Sequence, residues 1–115
     1  MDAALVVTWT APLPGREKTA LDYGTEVGEY WGKLAAEGKC SQPEIFFFSD
    51  GHGLWMVKGD IDTLWSIHVQ ATTQRLVRKG QLLLQDFAFD FPTTGKAADE
   101  YVAGYAAVAQ ELGLV

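Results

Sequence analysis

The sequence predicts an α+β fold whose elements run strand, helix, strand, strand, helix, strand, followed by one more helix at the C-terminus. Segments rich in β-branched and aromatic residues alternate with segments whose apolar residues recur every three or four positions, the spacing of one helix face. Clusters of Gly, Pro, Asp and Ser separate these segments. The 115 residues are 48% hydrophobic and 21% charged, so we expect residues 1–115 to form one globular domain.

The first strand is predicted over residues 4–11, where Val, Thr and Trp side chains favour extended structure. It ends at residues 12–15, because two prolines there cannot donate backbone hydrogen bonds to a sheet. Residues 16–37 carry apolar side chains at helical spacing, and Gly38 follows as a C-terminal stop. We therefore predict a long amphipathic helix between the first two strands.

A β-hairpin is predicted next, because the strand-like segments 44–50 and 54–58 flank a turn at residues 49–53. Asp60 or Asp62 then begins a second helix, which runs to Lys79-Gly80 with a break near residues 71–73.

Two further elements complete the chain. Residues 81–91 alternate well enough to form a fourth strand, and residues 97–112 form an Ala-rich terminal helix. We expect this helix to dock on the rest of the fold through the large side chains of one face, which are Tyr101, Tyr105, Val108 and Leu112.

This order is the split β-α-β, or ferredoxin-like, pattern. Right-handed crossovers would place both main helices on one face of a four-stranded antiparallel sheet. The strands are apolar at both parities, whereas a sheet with one solvated face normally alternates apolar and polar residues. Exposing about eight large side chains would forgo on the order of 10–20 kcal/mol, as much as the whole stability of a small domain. We therefore expect a homodimer that packs sheet against sheet.

Residues 54–60 (LWMVKGD), 74–80 (QRLVRKG) and 81–87 (QLLLQDF) resemble an uncharacterised branch of the dimeric α+β barrel superfamily. The resemblance covers nearly the whole chain and implies the fold of two ferredoxin-like subunits. The superfamily includes cofactor-free antibiotic-biosynthesis monooxygenases and haem-degrading monooxygenases, so fold alone does not fix activity. Haem-degrading members use an Asn on the first strand with a Trp and a His on a later helix. Trp65 and His68 are the residues that could match, whereas the first strand has Thr8 and Thr10 in place of Asn.

His68 is the candidate catalytic residue. Helical spacing places it in the apolar stripe of Ile61, Leu64 and Trp65, so its ring should point at the sheet. It is either a neutral core histidine hydrogen-bonded to a backbone or hydroxyl group, or a general base in an apolar cleft.

The candidate ligand-binding residues are aromatic. A buried indole needs a partner for its N–H, which a cleft can supply, although tryptophans also serve as core and interface fillers. A one-residue change of strand parity would send the strand tryptophans to the dimer interface instead. The candidates are Trp65, Trp31, Tyr30, Trp9 and Trp55.

Three glycines recur every four positions in the predicted first helix, at Gly24, Gly28 and Gly32. Each costs about 1 kcal/mol relative to alanine in a helix interior. Two explanations stay open: close approach of the helix to another backbone, or room for a ligand beneath the helix.

Composition argues against several functions. Nine basic and fifteen acidic residues give a net charge of −6 without a basic stripe, so no nucleic-acid partner is expected. Short apolar runs and an acidic N-terminus favour a cytoplasmic protein without a membrane partner. With Cys40 as the single cysteine and no metal-ligand spacing, we expect no metal and no tightly held cofactor. Ser49, Asp50 and His52 share one turn and cannot align as a hydrolytic triad.

We therefore expect a small homodimeric protein that binds an apolar or aromatic metabolite in a cleft between sheet and helices. One alternative is a cofactor-free monooxygenase or isomerase acting on an aromatic or polyketide-like substrate, with His68 as proton acceptor. The other is a structural or regulatory dimer without a ligand. A ligand-sized cavity would separate the first two from the third.

Overall fold

The computed structural model describes all 115 residues as four helices, one four-stranded antiparallel sheet and a second sheet of two short strands. The α+β class and the four-stranded antiparallel sheet are thereby confirmed. The strands are β1 (Ala3–Trp9), β2 (Ala11–Pro12), β3 (Glu44–Phe47), β4 (Gly53–Gly59), β5 (Leu84–Gln85) and β6 (Ala88–Asp90). The helices are α1 (Glu17–Ala36), α2 (Ile61–His68), α3 (Ala71–Leu83) and α4 (Gly95–Glu111).

The main sheet has the strand order β3-β4-β1-β6. In the central pair, Leu5 lies opposite Val57 and Val7 lies opposite Trp55. Leu5, Val7 and Val57 belong to the buried core together with side chains of α1, α2 and α3. Because side chains alternate across a strand, the odd-numbered residues of β1 and β4 face the helices and the even-numbered residues face away from them.

Helix α1 follows its predicted bounds closely. Its buried side chains recur at helical spacing and end in Trp31 and Leu34. Glu37 caps the C-terminus, and Gly38 follows with a φ of 77° while its N–H donates to the Ala35 carbonyl at 2.9 Å. A side chain at Gly38 would be strained at this positive φ, which explains why glycine stands at the stop.

The second predicted helix is divided into α2 and α3, and the break falls at residues 69–70 instead of 71–73. The side-chain amide of Gln74 donates to the His68 carbonyl at 2.7 Å and so satisfies a terminal carbonyl of α2.

The predicted fourth strand is wrong over its first half. Helix α3 does not end at Gly80 but continues to Leu83. A Cβ at Gly80 would lie 2.4 Å from the Phe87 ring, so this glycine allows the ring to pack closely against the helix. Asp86 then bends the chain with a φ of 53°. Consequently β5 pairs with β2, and only β6 pairs with β1. The first strand is correspondingly shorter than predicted and ends at Trp9.

The face of the sheet turned away from the helices, which we call the open face, carries both polar and apolar side chains. By strand parity its polar residues are Thr8, Glu44, Lys58 and Asp90, and five apolar residues lie among them: Val6 of β1, Phe46 of β3, Leu54 and Met56 of β4 and Ala88 of β6. All five apolar residues are partly or fully exposed, and none belongs to the buried core. This face therefore lacks a covering layer within the chain.

The prediction that α4 docks on its own chain is wrong. No residue of α4 is buried, and Tyr101, Tyr105 and Leu112 remain 68%, 71% and 67% exposed. The helix starts beside the first strand, where the Thr94 N–H donates to the Asp2 carbonyl at 2.8 Å, and then leaves the sheet without crossing an apolar surface. The radius of gyration is 16.6 Å, against about 13 Å for a compact chain of this length. None of the four helices combines the length and hydrophobicity of a membrane span.

Candidate functional site: an aromatic cleft

A cleft of about 520 Å³ lies on the helix side of the sheet, between residues 17–32 of α1 and the β3–β4 hairpin. This volume is within the range of small-molecule sites. The lining is mostly apolar, and its ring-bearing side chains are Trp9, Tyr23, Trp31, Phe47, Trp55 and Phe87.

Two pairs of aromatic rings shape the walls. The Trp31 and Trp55 centroids are 5.7 Å apart, and Trp31 is only 2% exposed, so this pair joins the cleft to the core. Trp9 meets Phe47 edge to face at 6.2 Å. A Cβ at Gly53, the pairing partner of Trp9, would lie 2.1 Å from the indole ring. Glycine at this position therefore lets Trp9 lie flat across β4 and form one wall.

The glycine stripe of α1 forms another wall. Gly24, Gly28 and Gly32 all line the cleft, and a Cβ built on any of them meets nothing within 4 Å. The explanation by close backbone approach is therefore wrong, and the structure supports the alternative that the glycines leave room beneath the helix.

Few polar groups line the cleft. The Tyr23 hydroxyl already donates to the Leu76 carbonyl at 2.8 Å, and burial, with a smaller contribution from the Glu26 carboxylate, raises the pKa of Tyr23 to about 12. Glu17 is the single charged residue of the lining, and hydrogen bonds from backbone N–H groups hold the pKa of its carboxyl below the usual value. Gln42 adds a neutral amide. No Lys, Arg or His lines the cleft, so it offers no counter-charge to an anion.

His68 lies outside this cleft. It lines a neighbouring cavity of about 20 Å³, which is the size of one water molecule, together with Thr73 and ten apolar or aromatic side chains. Five of these ten also line the cleft: Tyr23, Val27, Trp31, Trp55 and Phe87. Its ring is 4.9 Å from Phe89 and 5.1 Å from Phe91, measured between centroids. Gln74 Nε2 lies 3.3 Å from His68 Nε2, and burial lowers the pKa of the imidazole. The geometry is that of a neutral core histidine whose partner is a side-chain amide.

The cleft brings together three of the five predicted ligand-binding residues, Trp9, Trp31 and Trp55. Trp65 is 54% exposed and lies against Phe91, with a centroid distance of 5.5 Å, away from the cleft. Tyr30 shares a hydrogen bond of 2.5 Å with the Thr73 hydroxyl and does not line the cleft.

Several cleft residues had no place in the sequence-based site. Phe47 and Phe87 were expected only as strand residues, and Tyr23 only as part of the apolar face of the first helix. No sequence signal pointed to Phe47 or Phe87. The glycine stripe pointed only to the α1 wall, because Gly24, Gly28 and Gly32 each directly follow a residue of the buried stripe of that helix.

Two solved structures resemble this one. PA3566 from Pseudomonas aeruginosa matches with a TM-score of 0.61 and 18% sequence identity, covering 82% of this chain and 94% of that chain. NE2512 from Nitrosomonas europaea, a protein of unknown function, matches with a TM-score of 0.57 and 16% identity, covering 81% of this chain and 88% of that chain. Similarity at this level of identity supports the fold alone. No protein-family model and no curated protein matches the sequence.

Proposed function

We propose that this protein binds a flat apolar or aromatic small molecule in the cleft between α1 and the sheet. The observation that carries the proposal is a cleft of about 520 Å³. Its walls are three tryptophans and a helix whose glycines leave open space on the side facing the cleft. Each of the three glycines forgoes about 1 kcal/mol of helix stability relative to alanine. Nothing within the chain explains that loss, since no neighbouring atom excludes a methyl group. A planar ligand that occupies the space would explain it.

The polar groups of the cleft favour a neutral or cationic ligand over an anionic one. An anion would enter a low-dielectric space without a cationic partner and close to the Glu17 carboxylate. A cation would find that carboxylate together with the faces of Trp9, Trp31 and Trp55, which attract positive charge.

The protein acts as a homodimer of ferredoxin-like subunits in this proposal, and the dimer interface covers the open face of each subunit. The strand order β3-β4-β1-β6 and the uncovered apolar side chains of the open face support that arrangement. Catalysis is not part of the proposal, because His68, the candidate base, does not line the cleft.

Titration with Nile red, a neutral planar dye whose emission shifts to the blue in apolar surroundings, tests the binding site. We expect one dye to bind per chain. Gly28→Leu should weaken binding at least 10-fold, because Gly28 lines the cleft and a Cβ there meets no atom within 4 Å, so the new side chain takes up cleft space. Gly104→Leu is the matched control: Gly104 also lies within a helix with open space around it, but in α4, away from the cleft.

Three results would contradict the proposal. The first is that the dye binds neither the natural chain nor the variants. The second is that it binds Gly28→Leu as tightly as the natural chain, and the third is that Gly104→Leu removes binding as completely as Gly28→Leu. The last result would place the dye on α4 instead of in the cleft.

A further inference from the structure

Helix α4 has one apolar and one polar side. Its large apolar residues project on one side of a helical wheel, and all are more than half exposed: Tyr101 68%, Val102 65%, Tyr105 71%, Val108 53% and Leu112 67%. The opposite side carries the charged residues Lys96, Asp99, Glu100 and Glu111. We call the first side the apolar face of α4.

This helix needs a partner to be stable. It has 17 residues, and an isolated helix of that length is marginal in water even when it is rich in alanine. Within the chain it gains no buried contact. The free energy that holds α4 in its helical form must therefore come from a surface outside the chain.

The charges of α4 narrow the choice of partner. Three acidic residues and one lysine give its polar side a net charge of about −2, and the whole chain carries −6. Anionic lipid headgroups and nucleic-acid phosphates would be repelled. An amphipathic helix that lies on membranes normally carries lysine and arginine on its polar side.

A second copy of the chain supplies a surface of the required kind and size. The apolar side chains of its open face are uncovered. Helix α4 is about 25 Å long at 1.5 Å per residue, and the seven residues of β1 or β4 span about 23 Å. If six exposed apolar side chains lost about 100 Å² of accessible area each and three half-buried ones about 50 Å² each, each copy would bury about 750 Å², close to the roughly 800 Å² per partner of a stable interface. The six are the five of the apolar face of α4 and Phe46, and the three are Val6, Leu54 and Met56.

We propose that α4 is exchanged between two copies: the apolar face of α4 in each subunit packs on the open face of the other subunit. A two-fold interface uses the same surfaces of both chains, so each copy provides one helix and receives one. The inference rests on the homodimer of the proposed function and adds to it the element that holds the two subunits together.

The test is sedimentation velocity of the full chain across about 0.1–100 µM. The natural chain should sediment as a dimer of two 12.6 kDa subunits. The double variant Tyr101→Asp/Tyr105→Asp should raise the dimer dissociation constant at least 100-fold, because it buries two carboxylates in the interface. The control variant Ala103→Asp/Ala107→Asp adds the same charges to the polar side of the same helix. It should change the dimer dissociation constant less than 3-fold.

The outcomes separate this inference from the proposal on which it rests. If the natural chain is a monomer throughout, both the homodimer and the exchange of α4 are wrong, and binding of that monomer to anionic vesicles would assign the helix to a membrane surface. If the natural chain is a dimer and the tyrosine variant dimerises as tightly, the homodimer stands and the exchange is wrong. Photocrosslinking through benzoylphenylalanine at position 105 gives a second measurement should the double variant misfold: crosslinked dimers support the exchange, and their absence in a dimeric sample overturns it.

Discussion

Replacing the three cleft-facing glycines of α1 by alanine should stabilise the protein. Gly24, Gly28 and Gly32 lie in the interior of a 20-residue helix, and none has a positive φ. A methyl group at each would meet no atom within 4 Å. The helix propensity difference of about 0.8–1.0 kcal/mol per position should therefore appear undiminished, which gives about 2–3 kcal/mol for the triple variant.

The measurement is urea unfolding followed by circular dichroism, together with thermal unfolding. At roughly 3–5 °C per kcal/mol for a domain of this size, the midpoint of the triple variant should rise by about 6–15 °C. Affinity for Nile red should fall at the same time, since three methyl groups occupy part of the cleft. Stability and binding should thus move in opposite directions.

Two other glycines calibrate this result. A Cβ at Gly104 in α4 also meets no atom within 4 Å. Gly104→Ala should therefore raise the free energy of unfolding by the propensity difference of a single position, about 0.8–1.0 kcal/mol. Gly80→Ala should destabilise by about 1–3 kcal/mol, because the new Cβ would lie 2.4 Å from the Phe87 ring and 2.7 Å from the Tyr23 hydroxyl. Destabilisation of the triple variant would refute the reasoning, since it would mean that another surface packs against the glycine stripe and closes the cleft.

Three further predictions concern charge, fluorescence and pH. A cationic planar dye should bind at least as tightly as a neutral dye of the same shape and at least 10-fold more tightly than its sulfonated analogue; preference for the sulfonate would contradict the role given to Glu17. Ligand-induced quenching of tryptophan fluorescence should be reduced in Trp55→Phe and preserved in Trp65→Phe, because Trp55 lines the cleft and Trp65 does not. The reverse pattern would place the ligand at α2. Burial lowers the pKa of His68 below 6.5, so the unfolded chain binds a proton at a higher pH than the folded chain does. The free energy of unfolding should therefore fall as the pH drops below about 6.5, by at most about 1.4 kcal/mol per pH unit. His68→Gln should flatten that dependence in urea unfolding at pH 7.5 and 5.5, and an unchanged slope would show that other groups cause it.

Local sequence signals succeeded where a single residue has one physical meaning. Gly38 at a positive φ ended α1 as predicted, and the turn residues after Phe48 closed the hairpin. Gly80 and Asp86 were misread because their roles depend on neighbours distant in sequence. The glycine admits the Phe87 ring inside a helix, and the aspartate bends the chain before β6 while accepting a hydrogen bond from the Thr10 hydroxyl at 2.9 Å.

Periodicity predicted apolar faces but not what covers them. The apolar stripe of α2 was predicted to face the sheet, with Trp65 as a candidate ligand-binding residue. Leu64 is fully buried, whereas Trp65 is 54% exposed, because this eight-residue helix is only partly covered by the sheet. In the same way α4 was recognised as a helix, whereas its docking surface was not. A pattern along one chain cannot specify a partner that lies outside that chain.

Strand parity links the cleft to the open face. In β4, Trp55 and Val57 point to the helices while Leu54 and Met56 point away, so each face of the strand has its own apolar set. A slip of one residue would exchange the two sets and still bury apolar groups, which leaves the hydrophobic pattern unable to fix the register. Gly53 fixes the register instead. Trp9 lies opposite Gly53, and a Cβ at that position would lie 2.1 Å from the indole ring, so only glycine can stand opposite Trp9. The pairing of Trp9 with Gly53 thus both forms one wall of the cleft and determines which side chains of β4 point to the open face.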